Sequence, residues 1–507
     1  MTGASETIGE LPWATRELGL GVRHGESATP ADPAHEGVDW LVPDLIEPGL
    51  RHNNPRRAHL LISTVLGKHL PTDPHRVIAA ANSLGDLVLE VLAPTAAAPG
   101  PAVGTDTGPA PDAAVAAAAR SARTGAAAEP AAAQLDSTPT AAVVLGFAET
   151  ATGLGHGVAA RIGAACYLHS TRRDVPTAQT LTGFEEGHSH ATSHLLQPAP
   201  AEIFLNSLPM VLVDDEISTG ATALDAIRSL HEFTPRTHYV LASLVDMRTE
   251  DDRAAFEKAA AELGARIDTV CLASGETLLP DRLVESVAAL PAPELNPVAE
   301  VPGHVARIEL PWPADVPEGG RHGILDSDTP AFDAALAATA ATLWRELDAL
   351  AWASVDPGRG GSPRPVIVLG HEEFMYLPLR LAAALADSGV PTRYQTTTRS
   401  PAYVLDEPGY PLRRGFRFTA PEPDDVPRFV YNARWPEPAA ADPILLVVVD
   451  EPGDTDRLYS GGGLIDVLTA SGADVVVAVL PAADPRALAA ARTTSPAAPE
   501  FDSPTGE

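Results

Sequence analysis

Short apolar runs alternate along this chain with segments whose apolar positions recur every three or four residues. Met210-Val211-Leu212-Val213 is one such run and predicts a buried strand. Asp214 and Asp215 follow it, then the loop Ser218-Thr219-Gly220-Ala221-Thr222. Ala223, Leu224, Ile227 and Leu230 next fall at helical spacing, so a helix starts there. Ala142-Val143-Val144-Leu145 predicts another strand, which runs through a Gly/Thr-rich loop into a helix marked by Leu154, Val158, Ile162 and Cys166. Residues 166–173 predict a strand ending in Arg172 and Arg173, and residues 237–244, 251–263 and 267–273 predict strand, helix and strand. This order predicts an α/β fold, a parallel sheet covered by helices on both faces, with ligand loops at the strand ends.

Upstream, residues 13–22 and 40–43 predict short strands. Residues 74–93 predict an amphipathic helix with Val77, Ile78, Ala81, Leu84, Leu87, Val88 and Val91 on one side. Residues 95–140 are nearly all Ala, Pro, Gly, Thr and Asp, too poor in large apolar groups for a core, and predict a disordered insertion. A Pro-rich segment, 290–316, predicts a linker with an edge strand near 304–310.

Beyond the linker the pattern repeats. Pro365-Val366-Ile367-Val368-Leu369-Gly370 matches Ala142 to Gly146, and Thr396-Thr397-Thr398-Arg399-Ser400 matches Ser170-Thr171-Arg172. The run Ile444 to Val449 ends in Asp450-Glu451, in the place of the first acid pair, but no hydroxyl loop follows. The second half is therefore a Rossmann-like α/β domain, either a diverged copy of the first or an unrelated fold that imitates it. The domains expected are 1–290, 300–480 and a disordered Ala/Pro-rich tail, 481–507.

The 507 residues carry 35 Lys and Arg against 67 Asp and Glu, a formal charge of −32, which argues against nucleic acid and anionic membranes as partners. Two cysteines, Cys166 and Cys271, make neither a disulfide framework nor a zinc cluster. With no signal segment and no long apolar run, the expectation is a reduced, cytoplasmic protein.

The loop Ser218 to Thr222, between a strand and a helix, suits a phosphate: small residues let backbone N–H groups close around it, and the helix start adds partial positive charge. It is not a P-loop, because no Lys follows Gly220. Asp214 and Asp215 stand about one sugar ring away, placed for the 2- and 3-hydroxyls of a ribose whose 5-phosphate lies in the loop. Glu149, Thr150, Ala151, Thr152 and Gly153 form a second strand-loop-helix of the same anion-binding type. Arg51, Arg56, Arg57 and Lys68 cluster in an otherwise acidic chain, either to neutralise a charged substrate or as the start of a surface helix. His188, His190 and His194 fit a metal or a proton-transfer loop, though i, i+2 and i+6 share no helical face.

The stretch from Met210 to Thr222 resembles the phosphoribosyl pyrophosphate (PRPP) motif of type I phosphoribosyltransferases. The resemblance implies that Asp214 and Asp215 hold the ribose and, through it, act on Mg2+ indirectly, that Ser218, Thr219, Gly220, Ala221 and Thr222 hold the 5-phosphate, and that Glu149 to Gly153 hold pyrophosphate. Purine-salvage members carry Asp where this chain has Ser218, so the site looks more like the orotate type. Such enzymes place a Lys in a mobile loop. None lies between Lys68 and Lys258, leaving Arg172, Arg173, His188 and His190 as candidate catalytic replacements, with Arg56, Arg57 and Lys68 as further phosphate contacts.

Thr397-Thr398-Arg399-Ser400-Pro401 resembles the signature of the TRSP domain. Asn54-Pro55-Arg56-Arg57, Val65-Leu66-Gly67-Lys68-His69 and Glu149 to His156 resemble its partner phosphoribosyltransferase of bacterial tellurite-resistance and stress clusters. The resemblance implies a Mg2+-dependent phosphoribosyltransferase using PRPP and a nucleobase-like small molecule, possible as a homodimer. Its second domain would have a site at Glu372, Glu373, Arg399, Ser400 and Asp450. The alternative is a non-catalytic PRPP- or nucleotide-binding regulator.

Overall fold

The computed structural model describes residues 11–25, 40–52, 54, 57–93, 140–185, 193–350, 363–436 and 442–494. Gly21–His24 (β1) edges a first sheet, and Ile46–Leu50 (β2) with His59–Ser63 (β3) forms a separate hairpin. Thr140–Gly146 (β4) and Ala164–His169 (β5) follow, then a hairpin of Thr182–Glu185 (β6) and Ser193–Leu196 (β7). Met210–Ile217 (β8), His238–Asp246 (β9) and Arg266–Leu278 (β10) complete the first half. The second contains Val305–Glu309 (β11), Ile324–Leu325 (β12), Val366–Gly370 (β13), Thr392–Thr396 (β14), the hairpin Gly415–Thr419 (β15) and Pro427–Tyr431 (β16), Ile444–Asp450 (β17) and Val475–Leu480 (β18).

The first sheet runs β1-β10-β9-β8-β4-β5-β12, parallel except at its two outer strands. Its middle strands are apolar on both faces because both are covered. Val144 packs on one side with Ala81, Leu84 and Val88 of the helix Pro74–Leu92, while Val143 and Leu145 pack on the other with Leu224, Ile227 and Leu230 of the helix Ala221–Phe233. Gly157 lets the helix Thr152–Ile162 lie close against Pro74–Leu92: a Cβ there would sit 2.6 Å from that of Ala81.

The second sheet runs β11-β18-β17-β13-β14, all parallel. This is the order β10-β9-β8-β4-β5 of the first sheet, with β11, from ahead of the repeat, in the place of β10. The register agrees: Leu145 pairs with Leu212 and Leu369 with Val447, each three residues before an acid, Asp215 and Asp450.

Four expectations change. Residues 13–22 hold a helix, Trp13–Leu18, before β1, because Gly19 at φ 71° returns its N–H to Thr15 and closes the turn. Residues 42–45 are a helical turn with Pro43 at its start, where a missing N–H costs nothing. The helix after β4 stops at Gly163, so Cys166 belongs to β5. In the expected tail, Pro485–Thr494 is a helix. Leu488 packs with Ala199 and Ala483, and buried Arg492 donates to the carbonyls of Ala199, His322 and Gly323 and to Asp328. The domain boundary is also interleaved, since β12 joins the first sheet. The expected insertion, about 95–140, lies outside the described residues apart from Thr140. Among the described residues no helix is long and apolar enough to cross a membrane.

Candidate active site

β8 ends at the floor of an open cleft of about 230 Å³. Asp214, Asp215 and Glu216 line it beside Ser218, Thr219, Gly220 and Thr222. Gly220, at φ 82°, begins the helix Ala221–Phe233 without a capping side chain from its own position. Burial, and then the neighbouring Asp215 carboxylate, push the Asp214 carboxyl well above the ordinary range. The protein itself gives Asp214 a backbone donor, Asp215 N at 2.9 Å.

Cations face this acid floor. Arg57 donates to Glu216 at 2.5 Å, and through Nε to His59 at 3.3 Å. His59 is lowered to about 4 by burial and by Arg57 and Arg51, so it is neutral and accepts. Lys68 Nζ reaches Thr150 Oγ1 at 2.7 Å, and Arg172 lines the same cleft.

The loop carrying Lys68 is held by the second domain. Thr72 and Tyr394 exchange backbone hydrogen bonds (2.9 and 2.8 Å), and Thr396 N donates to Gly67 O at 2.9 Å. The loop thus lies along β14, the outer strand of the second sheet. Gly67 sits at φ 75° with the Tyr394 ring so close that a Cβ would fall 2.5 Å from it. Gly67→Ala is therefore expected to lower stability by more than the ~1 kcal/mol of the left-handed backbone alone. Thermal unfolding checks this; an unchanged midpoint would show that the loop is not docked this way.

The two halves meet through reciprocal contacts. Glu149 accepts from Thr398 Oγ1 (2.5 Å) and Arg399 N (3.0 Å), while Glu373 accepts from Thr171 Oγ1 (2.6 Å) and Arg172 N (2.6 Å). Each glutamate lies three residues after its strand's closing glycine, Gly146 or Gly370. Their surroundings also correspond. Ser170 Oγ takes Ala148 N and meets His194 Nδ1; Thr397 Oγ1 takes Glu372 N and meets His371 Nδ1. The correspondence breaks one residue before Leu195 and Phe429, which bridge to Thr171 and Thr398. There His194 lines the open cleft, whereas Arg428 is fully buried and bonded to Glu372 and Asp424.

Arg173 crosses into the second half, to Asp450 (3.1 Å to each oxygen) and to Glu422. Burial opposes ionisation of these acids, but Arg173 and Arg321 hold Asp450 below the ordinary range, His371 and Arg173 hold Glu422 below it, and Arg321 and His169 do so for Glu373. A pKa lowered by folding contributes stability that is full above the unfolded value and lost as pH falls through the folded one. The interface is therefore expected to weaken below about pH 4.5, the unperturbed Glu value. Asp214, with its raised pKa, acts in the opposite sense. Chemical denaturation between pH 7 and 3, with and without Arg173→Met, isolates the interface from the other shifted carboxyls; an acid loss equal in the two proteins would refute its role.

Several expected roles are corrected by these positions. Of the five pyrophosphate-loop candidates only Thr150 lines the cleft. Glu149 faces the second domain, Ala151 is fully buried, Thr152 donates to Glu373 O, and Gly153 packs on Met375. Arg173 points away from the cleft, while Arg57, Lys68 and Arg172 point into it. Ala221 begins the phosphate-loop helix behind Ser218 to Thr222. Arg56, His188 and His190 lie outside the described residues. In the second domain, Glu372 pairs with Arg399 and Arg428, Glu373 with Thr171, Asp450 with Arg173, and Ser400 Oγ lies 3.5 Å from Arg51 Nη2. These residues form a network of ion pairs and hydrogen bonds at the interface, where Glu373 also lines a small cavity with His169 and Arg321. His371, Glu372 and Glu422 offer ligand atoms within 4.8 Å of one another, but both carboxylates are already paired with arginines. Arg321, Glu422 and Arg428 went unrecognised in the sequence, as did the Phe184–His194 stack on the cleft wall, with ring centroids 4.6 Å apart.

The family comparison places the half that holds this cleft with the phosphoribosyl transferases, whose model matches residues 45–276. A second model, the TRSP domain C-terminal to that family, matches residues 318–468, so the chain is a phosphoribosyl transferase domain followed by a TRSP domain. Comparison with curated proteins gave no match. Similar solved structures include adenine phosphoribosyl transferase from Trypanosoma brucei in complex with AMP, pyrophosphate and ribose-5-phosphate (18% identity, 28% of this chain and 58% of that one, TM-score 0.22). Others are the adenine phosphoribosyltransferases of Rhodothermus marinus (15%, 45% and 95%, 0.26) and Leishmania tarentolae (13%, 49% and 88%, 0.26). The chain thus spans 58% of the length of the Trypanosoma brucei protein.

Proposed function

We propose that the protein transfers a phosphoribosyl group between PRPP and a nucleobase-like acceptor. The observation that carries this reading is the meeting of Asp214 and Asp215, the loop at Ser218 to Thr222, and Lys68, Arg57 and Arg172 in one cleft. The 5-phosphate sits on the helix start after Gly220. The ribose hydroxyls donate to Asp214 and Asp215, supplying what the Asp214 carboxylate lacks. Lys68, Thr150 and Arg172 receive the pyrophosphate and stabilise it as the bond from C1 to its oxygen breaks. An acceptor nitrogen then bonds to C1 and gives up its proton. The acid pair offers the hard oxygen donors that Mg2+ favours. A bound Mg2+ would withdraw charge from the leaving group. We place the product, on the motif resemblance, among nucleoside-like metabolites of bacterial stress responses.

The test is calorimetric titration with PRPP and Mg2+, followed by pyrophosphate release across a panel of bases. Binding with release for one base supports the enzyme. Absence of PRPP binding refutes the reading, and binding without release on any base makes the protein a PRPP-binding regulator.

A further inference from the structure

His69 is 2% exposed and lines the cleft, yet among the described residues neither of its ring nitrogens has a partner. Arg51, another lining residue, has a buried Nε that is likewise unpartnered. Buried polar atoms are rarely left so, because each has given up its water without replacement. The hairpin that carries Arg51 at its turn also brings Leu60 and Leu61 to the cleft, an apolar wall beside polar atoms. Tyr431 of the second domain packs against the His69 ring at 5.6 Å, and Gly67 is pinned to β14 two residues earlier, so the imidazole is held in place.

We propose that His69, with Arg51, reads the polar edge of the acceptor base, and that this edge carries a carbonyl oxygen. This deepens the phosphoribosyl-transfer reading and rests on it. Phosphate offers only acceptors and is better met by Lys68, Arg57 and the Ser218 to Thr222 loop. Burial, Lys68 and Arg51 keep His69 neutral, so the ring holds one donor and one acceptor. Among the described residues no partner fixes its tautomer, so the ligand sets it: a carbonyl oxygen meets N–H, and a ring N–H meets the bare nitrogen. Arg51 Nε only donates, so with the His69 N–H two donors face the ligand, and a carbonyl oxygen has two lone pairs to meet them where a bare ring nitrogen has one. Leu60 and Leu61 suit the flat face of such a heterocycle.

The base's share of binding is read as the ratio of the dissociation constant of ribose 5-phosphate to that of a nucleotide. Calorimetry with ribose 5-phosphate, IMP, GMP, UMP and AMP gives these ratios. In the wild type at least one of IMP, GMP and UMP is expected to bind roughly tenfold or more tighter than ribose 5-phosphate, and tighter than AMP. His69→Leu should bring that ratio close to one while ribose 5-phosphate binds as before; His69→Gln, which keeps a donor and an acceptor, should retain part of it. Arg51→Met gives an independent arm, with a smaller fall. The proposal is overturned if no base adds affinity, as when water alone meets His69, if AMP is preferred, or if His69→Leu leaves the ratio intact. Failure of ribose 5-phosphate itself to bind the wild type would instead overturn the phosphoribosyl-transfer reading.

Discussion

With asparagine at both Asp214 and Asp215, PRPP affinity is expected to fall about a hundredfold or more, while the free protein becomes harder to melt. The first effect comes from two lost charge-assisted hydrogen bonds, ~1.5–3 kcal/mol each, where 1.4 kcal/mol is tenfold in affinity. The second comes from the free site. Asp214 is pushed up by burial and by Asp215, and a carboxyl whose pKa is higher folded than unfolded costs stability at neutral pH. Removing the pair relieves that cost, an arrangement of function against stability common at binding sites. Calorimetric titration and thermal unfolding at pH 7 test both halves. Lost affinity with a lower melting temperature would mean the acids brace the fold; unchanged affinity would remove them from the substrate.

Arg173→Met should be the most destabilising single change at the interface, at about 3–5 kcal/mol. Asp450 is 2% exposed and Glu422 nearly as buried, and removing one partner of a buried ion pair leaves the other charge unanswered. Arg321 lies 3.4 Å from Asp450 and covers part of the loss, which favours the lower end of the range. Arg173→Lys should recover little, because Lys lacks the fork that reaches two acids at once. Denaturant unfolding measures the difference. A change within ~0.5 kcal/mol would show that the network does not hold the halves together.

Those residues also mark what could be read from the chain alone. The acid pair, the hydroxyl loop and the apolar strand before it were legible because they are contiguous, and their chemistry depends on neighbours a few positions away. The repeat was legible for the same reason, through strand and loop spacing. Arg173 and Glu149 were misplaced because a charge beside a phosphate loop and a charge in an interface look alike in sequence; the partners of Arg173 lie 249 and 277 residues further on. His69 sits inside a recognised motif, but its signal is the lack of a partner, which only packing reveals. The helix Pro485–Thr494 was hidden by alanine-rich composition, with Leu488 and Arg492 supplying its anchors.

The reciprocal Glu149 and Glu373 contacts give the molecule the geometry of a two-subunit assembly written on one chain. Two separate copies of one gene product must change together, so a substitution that closes a site closes it twice. Joined halves drift independently: Arg428 can occupy the second half while His194 leaves the first open. Dilution does not part them either, because the linker keeps each half at high effective concentration near the other. The join is apolar as well as polar, since Leu50, Leu60 and Ile62 pack with Tyr403, Phe429 and Tyr431, and the second half acts as the fixed edge against which Lys68 and His69 are held.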